Sequence, residues 1–180
     1  MDITKENIKK RKIRIKQTAE VFTPDELVNE ILDKLPDEVW EEGKTYLDPA
    51  CGNGNFLVHI LLRKIDKGHN STDALKSIYG LDIMKDNIIE CMLRLLKIIS
   101  IFEDIKKEHI EIVFTNIRWL NTVKWPRGTL DYDMSFKNNY DKKNVDKWYK
   151  KILTGELVDL DIEDIDTPDK LDDIFEGKSG

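Results

Sequence analysis

The sequence has few of the residues that build disulfide-rich, metal-bound or membrane-embedded proteins. Its two cysteines, Cys51 and Cys91, are too few for a disulfide framework or a cysteine-rich zinc site, and they fit a reducing compartment. No apolar run approaches the ~20 residues that cross a bilayer, and residues 1–6 lack the apolar segment of a secretory signal. The three histidines have no metal-ligand spacing. These absences predict a cytoplasmic protein with no membrane span and no metal site.

What is present indicates one domain with a charged surface. The chain has 180 residues, of which 40% are hydrophobic and 36% charged, and its length suits a single core. Basic side chains dominate residues 1–17 and acidic side chains dominate residues 156–180. We therefore predict a basic arm (1–17), a folded domain (18–155) and an acidic tail (156–180). Two interpretations remain open: the arm binds phosphate, or both ends are solvated or pair with each other.

Alternating patterns predict an α/β fold. Apolar residues recur at helical spacing in four segments, which are 24–35, 56–65, 88–99 and 145–152. Short runs typical of buried strands occupy four others, which are 44–48, 77–83, 110–114 and 130–136. Thr23 is expected to cap the first helix, with Pro24 in its first turn. Strands that alternate with helices predict a mostly parallel sheet with helices on both faces.

A glycine-bearing loop follows the first predicted strand. Its sequence, from Asp48 to Phe56, is DPACGNGNF, and it lies where open α/β sheets bind ligands. Gly52 and Gly54 have two explanations: they form a tight turn, or they let a ligand approach the backbone. Amides exposed by glycine and an acid at the strand tip can meet the carboxylate and the ammonium of one ligand.

This loop closely resembles the first motif of the S-adenosylmethionine-dependent amino methyltransferases. The segment Thr18–Val28, with its Phe-Thr-Pro turn, resembles the motif that precedes the cofactor loop in adenine-N6 DNA methyltransferases. The resemblance extends to about Asn116. It implies a Rossmann-like S-adenosylmethionine-dependent methyltransferase fold, here cut short after the fourth strand, and S-adenosylmethionine as the cofactor.

The resemblance also implies roles for individual residues. Asp82 would bind the ribose hydroxyls, Ile83 would flank the adenine ring, and Asn116 would meet its amino group. Two other roles remain open, because Asp82 also suits a helix N-cap and Asn116 a plain turn. The other cofactor-binding positions are in the loop and in the segment that closes over it: Asp48, Pro49, Ala50, Cys51, Gly52, Asn55, Phe56, Phe22, Thr23 and Pro24.

The catalytic motif of that family, Asn-Pro-Pro-Tyr or Asp-Pro-Pro-Phe, is not in the sequence. The nearest candidates are Asn138, Asn139 and Tyr140, which lack both prolines. Three hypotheses for the function remain open. The first, which the resemblance implies, is methyl transfer to the amino group of adenine in DNA. The alternative is an inactive cofactor-binding sensor, decoy or regulatory subunit of a methyltransferase or restriction-modification system. A third is a cut-down domain with an exposed sheet edge that favours self-association.

The predicted partner is DNA, contacted directly or through a partner subunit. Only about forty residues follow the fourth predicted strand, and a target-recognition region does not fit in them. Protein-glutamine methyltransferases share the loop and catalytic motif types, but the Phe-Thr-Pro segment favours nucleic acid over protein. Homo- and hetero-oligomers both remain open, and so does the target sequence.

Overall fold

The computed structural model describes residues 23–119 and 142–155. Within these ranges the chain alternates helices with three short strands. A turn of 3-10 helix, Asp37–Trp40, precedes the first strand. The elements in chain order are α1 (Asp25–Asp33), β1 (Tyr46–Asp48), α2 (Asn55–Asp66), α3 (Ser71–Lys76), β2 (Ile78–Asp82), α4 (Lys85–Phe102), α5 (Lys107–Asn116), β3 (Ile117–Trp119) and α6 (Lys142–Thr154).

The three described strands form one parallel sheet in the order β1-β2-β3. Asp48 at the end of β1 pairs with Gly80, and Asp82 at the end of β2 pairs with Trp119. Parallel pairing brings the carboxyl ends of the strands to one edge of the sheet, because each crossover returns the chain through helices to the same starting edge. The loop after β1 therefore lies beside the end of β2.

Helices pack against this sheet and bury one continuous apolar core. Leu57 and Leu61 of α2, Cys91 and Leu95 of α4, and other side chains of the same helix faces are fully buried. Trp148 of α6 is also fully buried and meets Phe114 edge-on, with the ring centroids 4.9 Å apart. The apolar spacing that predicted α1, α2, α4 and α6 is confirmed, as are strands at 46–48 and 78–82.

The prediction of a strand at 110–114 is wrong, because these residues lie inside α5. The run is rich in β-branched residues, which favours a strand locally. In the structure His109, Ile110, Val113 and Phe114 recur at helical spacing and all are buried. Burial of that face outweighs the local preference, and β3 begins only at Ile117.

The predicted start of α1 also needs correction. Pro24, not Thr23, occupies the N-cap position, with an extended ψ of 148° and no side-chain cap. The first helical residue is Asp25, so Pro24 lies one position before the first turn. Val28 N–H donates to the carbonyl of Pro24 over 3.0 Å, a bond that a proline can still accept because its carbonyl is intact.

Several predictions lie outside the described residues. These are the strand at 130–136, the basic arm and the acidic tail. No helix in the two described ranges is long and apolar enough to cross a membrane.

Candidate functional site

The loop from Pro49 to Gly54 connects β1 to α2 and folds back onto β2. Cys51 N–H donates to the carbonyl of Leu81 over 2.9 Å, and Gly54 N–H donates to the carbonyl of Cys51 over 2.8 Å. Gly52 and Gly54 have φ values of +54° and +86°, which glycine adopts without steric cost. Two left-handed residues in the turn thus direct the chain from the strand into the helix.

Glycine is also required because side chains press against the loop. A Cβ on Gly54 would stand 2.5 Å from Cys91 Sγ. A Cβ on Gly80, in β2 below the loop, would stand 2.6 Å from Leu57 Cδ1 and 3.1 Å from Cys51 Sγ. The positive φ values and these contacts support the tight-turn interpretation of the glycines, and the approach of a ligand to the backbone stays a prediction.

Asp48 lies half-buried at the tip of β1. Its Oδ1 accepts a hydrogen bond from Ala50 N–H over 3.1 Å. Burial and the nearby Asp82 carboxylate raise the pKa of Asp48 above its ordinary value, although the Ala50 bond opposes the rise. The site therefore holds two carboxyl groups from neighbouring strands, and a cation between them would be favoured.

Asp82, at the tip of β2, anchors the loop to the sheet. Its Oδ2 accepts from Gly52 N–H over 3.0 Å. Its Oδ1 accepts from Met84 N–H over 2.7 Å and from Asn87 Nδ2 over 3.3 Å. Met84 occupies the N-cap position of α4, so the N-cap interpretation of Asp82 is wrong, although its carboxylate does bond the N-cap residue.

Asn55, the first residue of α2, connects the loop to two other segments. Its Nδ2 donates to the carbonyl of Thr23 over 2.7 Å, and its Oδ1 accepts from Arg94 Nη1 over 2.6 Å. Arg94 also donates to the carbonyl of Asn53 over 2.9 Å. The structure thus brings the Thr23-Pro24 segment against the glycine loop, 32 positions away in sequence.

Cys51 is buried beside Cys91, and both are free thiols. A hydrogen bond with the Cys91 thiol, followed by burial, raises the pKa of the Cys51 thiol far above its ordinary value. Because the thiolate is the reactive form, Cys51 is poorly suited to act as a nucleophile. Its side chain packs beneath the loop, against Gly80.

Ile83, which follows β2, is held by Trp119 at the end of β3. Trp119 Nε1–H donates to the carbonyl of Ile83 over 2.8 Å. Lys85 Nζ lies 5.7 Å from the centroid of the Trp119 ring, within the range of a cation–π contact. Trp119 therefore contacts the turn after β2 at two positions.

The expected position of Asn116 after the third strand is wrong. Asn116 is the last residue of α5 and precedes β3. Its buried side chain donates from Nδ2 to the carbonyl of Lys76 over 3.0 Å, just before β2 begins. It therefore lies at the amino edge of the sheet, opposite the edge that carries Asp48 and Asp82. Its side chain joins α5 to the end of α3.

The remaining predicted residues divide into those at the loop and those outside the described ranges. Pro49 and Ala50 are exposed in the loop, and Phe56 is half-buried against the core. Phe22, Asn138, Asn139 and Tyr140 lie outside the described residues. Within the two ranges that the structure covers, no three His, Cys, Asp or Glu side chains are grouped to hold a metal ion.

Sequence reasoning missed the residues of α4 that support the loop. Asn87 bonds Asp82, Glu90 Oε1 accepts from Asn53 Nδ2 over 3.0 Å, and Arg94 bonds the loop as described. With Cys91 they recur three or four positions apart, so they share one face of the helix. That spacing of polar residues on an otherwise apolar helix was the available signal.

Comparison with known families adds to this geometry. The family model described as N-6 DNA Methylase matches residues 9–152, which is more than half of the chain. Searches of curated proteins and of solved structures found no match. The matched region contains the parallel sheet, its flanking helices and the glycine loop, as expected for a Rossmann-like methyltransferase fold. The chain therefore belongs to the N-6 DNA methylase family.

Proposed function

We propose that this chain binds S-adenosylmethionine at the carboxyl edge of its sheet and serves in methyl transfer to the N6 amino group of adenine in DNA. One observation carries the proposal. Two carboxyl groups, Asp48 and Asp82, flank a glycine loop that is fastened to both strands. The cofactor has matching groups at its two ends, namely an amino acid and a ribose.

The ammonium of the cofactor suits Asp48. Burial and the neighbouring Asp82 raise the pKa of Asp48 because they destabilise its ionised form. A positive charge nearby would offset that destabilisation. Hydrogen bonds between charged partners contribute about 1.5–3 kcal/mol. The carboxylate at the same end of the ligand suits the first turn of α2, whose backbone N–H groups have no acceptor within the helix.

The ribose hydroxyls suit Asp82. A carboxylate offers about four lone-pair sites, and three are engaged by Gly52, Met84 and Asn87. One acceptor site therefore remains for a hydroxyl. The adjacent surface, where an adenine ring would lie, is formed by Ile83 and the Trp119 indole. The indole N–H donates to the Ile83 carbonyl.

The cofactor, when bound, supplies an electrophilic methyl group. The chain's own task is to orient that group and to present the adenine amino nitrogen to it. Asn138, Asn139 and Tyr140 are the candidates for contact with the base, which must leave the duplex to be reached. The basic arm at 1–17 is the candidate for contact with the DNA phosphates, and a partner subunit is the candidate for target recognition.

A second candidate function is cofactor binding without transfer, as a sensor, decoy or regulatory subunit. It is favoured by one observation: residues 130–141, LDYDMSFKNNYD, contain no proline. Prolines fix φ near −65° and stiffen the turn that directs a carbonyl at the base. The two candidates share the cofactor site and differ only in the fate of the methyl group.

One sample tests both candidates. The purified chain is dialysed against S-adenosylmethionine carrying a labelled methyl group, and is then incubated with unmethylated DNA that is afterwards digested to nucleosides. Binding followed by label in N6-methyladenine supports the proposal. Binding without label, also in the presence of candidate partner subunits, supports the second candidate. Absence of binding at millimolar cofactor contradicts both.

A further inference from the structure

An apolar groove lies on the side of α4 that is away from the sheet. It encloses about 480 Å³ between α4, the connection to α5 and the last turn of α6. Its floor is apolar, and two basic residues one helical turn apart stand beside that floor. The floor residues are Leu93, Leu96, Ile105 and Ile152, and the basic ones are Arg94 and Lys97.

The basic residues of the groove have capacity for an anionic partner. Lys97 is exposed and has no ion pair with any residue in the two described ranges. Arg94 uses Nη1 to bond the carbonyl of Asn53 and Oδ1 of Asn55. Within the described part of the chain, its Nε and Nη2 donors remain for a carboxylate. The one acid in the groove, Glu90, accepts from Asn53 Nδ2.

The chain leaves α6 beside this groove. Ile152 lines the groove, and α6 ends two residues later at Thr154. Gly155 has a φ of +73°, and its N–H donates to the carbonyl of Ile152 over 3.2 Å, which terminates the helix. Residues that follow Gly155 therefore start within a few ångströms of the groove.

The sequence of those residues is complementary to the groove. Residues 157–165 read LVDLDIEDI, in which apolar and acidic side chains alternate from Val158 to Glu163. In an extended segment, alternate side chains fall on opposite sides. One side would carry Val158, Leu160 and Ile162, and the other side would carry acids.

We propose that residues 157–165 dock in the α4–α6 groove of their own chain. Val158, Leu160 and Ile162 contact the apolar floor, and the acids on the outer side of the segment lie within reach of the long side chains of Arg94 and Lys97, which stand beside that floor. Burial of these aliphatic side chains stabilises the docked segment, and the short tether to α6 lowers the entropic cost of the contact. This inference does not depend on the proposed function, because the docking contacts involve no cofactor, although Arg94 also bonds the glycine loop.

Cross-linking of the full chain with a water-soluble carbodiimide tests this arrangement, because the reagent joins an amine to a carboxylate in contact with it. Equal amounts of isotopically light and heavy chains are mixed first, so that links within one chain are distinguished from links between copies. We expect links within one chain from Lys97 to Asp159, Asp161 or Glu163, read by mass spectrometry.

Two variants separate docking from simple charge attraction. Leu160→Asp with Ile162→Asp keeps every acid of the tail but removes the apolar contact, and it should lower the Lys97 links by more than about tenfold. Lys34→Gln, at the exposed C-cap of α1, is the matched control and should leave them unchanged. Three results would overturn the proposal: links that join light to heavy chains, tail links confined to lysines of residues 1–17, or Lys97 links that survive the double substitution.

Discussion

The carboxylate of Asp82 accepts a hydrogen bond from the backbone N–H of Gly52, although the two residues are 30 positions apart. The same carboxylate accepts from Met84 N–H and Asn87 Nδ2. One side chain thus fixes the glycine loop to the end of β2 and to the start of α4. The loop after β1 and the turn between β2 and α4 are thereby joined at one edge of the sheet.

Asp82→Asn should weaken this edge. The NH2 group that replaces one carboxylate oxygen cannot accept a hydrogen bond, so either Gly52 N–H or Met84 N–H loses its partner. We expect the free energy of unfolding to fall by about 1–3 kcal/mol, measured by urea denaturation. Asp104→Asn, at an exposed position between helices, is the control and should change it by less than about 0.5 kcal/mol. Equal stability of the two variants would contradict the anchoring role.

Asp48→Asn should separate stability from binding. Asn retains the Oδ1 acceptor for Ala50 N–H and removes a half-buried charge that lies near Asp82. We therefore expect thermal stability without ligand to be unchanged or higher near pH 7, while affinity for S-adenosylmethionine falls by about tenfold or more. A large loss of stability without ligand would assign Asp48 a structural role instead.

The stability difference between Asp48→Asn and the wild-type chain should change with pH in one direction. The pKa of Asp48 is raised by burial first and by Asp82 second. A carboxyl whose folded pKa is raised destabilises the folded state above that pKa, and the penalty is relieved as pH falls through it. The stability difference between Asp48→Asn and the wild-type chain should therefore be constant above the folded pKa and shrink as pH falls through it toward the unfolded pKa. A difference that grows toward acid would contradict this.

Gly54→Ala should be more costly than a matched substitution at Gly43. Both glycines have positive φ, +86° and +81°, which costs an alanine about 1–2 kcal/mol. A Cβ at Gly43 meets nothing within 4 Å, whereas one at Gly54 meets Cys91 Sγ at 2.5 Å. The added clash should lower stability by about 1–3 kcal/mol more, and Cys91→Ala should recover part of that difference. Equal costs at both glycines would contradict the close packing.

His109 should make the protein less stable in mild acid. Its Nδ1 accepts from Lys106 N–H and its Nε2–H donates to Thr72 Oγ1, so protonation would break the first bond. Burial lowers the pKa of His109, although Glu103 opposes that shift. The unfolded chain therefore binds the proton first, and stability should fall as pH decreases below about 6.5.

The comparison that checks this is urea denaturation at a series of pH values for the wild-type chain and for His109→Gln. The wild-type chain should lose more stability than the variant between about pH 7 and pH 5. Glu103, whose pKa is lowered to about 2 chiefly by Lys106 and Ser71, remains ionised throughout that interval. Identical slopes for the two chains would contradict the role of His109.

Features with strong local signals could be predicted from the sequence. Apolar residues of α4, such as Ile88, Leu95 and Ile99, repeat at helical spacing over many turns, so that helix was predicted correctly. The glycine loop and its acid at Asp48 were recognised because residue types and order are both restrictive there. The location of the loop at the edge of a parallel sheet followed from the alternation of strands and helices.

The rest depended on tertiary contacts that no local pattern reveals. Ile110–Phe114 has the composition of a strand, yet its packing against neighbouring helices, including the Phe114 contact with Trp148, makes it helical. Because the strand was predicted to end at Phe114, Asn116 was expected at the carboxyl edge of the sheet, whereas it lies at the amino edge. Arg94 could not be assigned to the loop either, since its partners Asn53 and Asn55 are 41 and 39 positions away.

The most direct test of the central claim is a calorimetric titration of S-adenosylmethionine into the wild-type chain and into Asp48→Asn. Urea denaturation of both chains first establishes that they are equally folded. The account predicts one site with a dissociation constant well below millimolar in the wild-type chain, and affinity weaker by about tenfold or more in the variant. No binding up to millimolar cofactor, or equal affinity in the two chains, would contradict it.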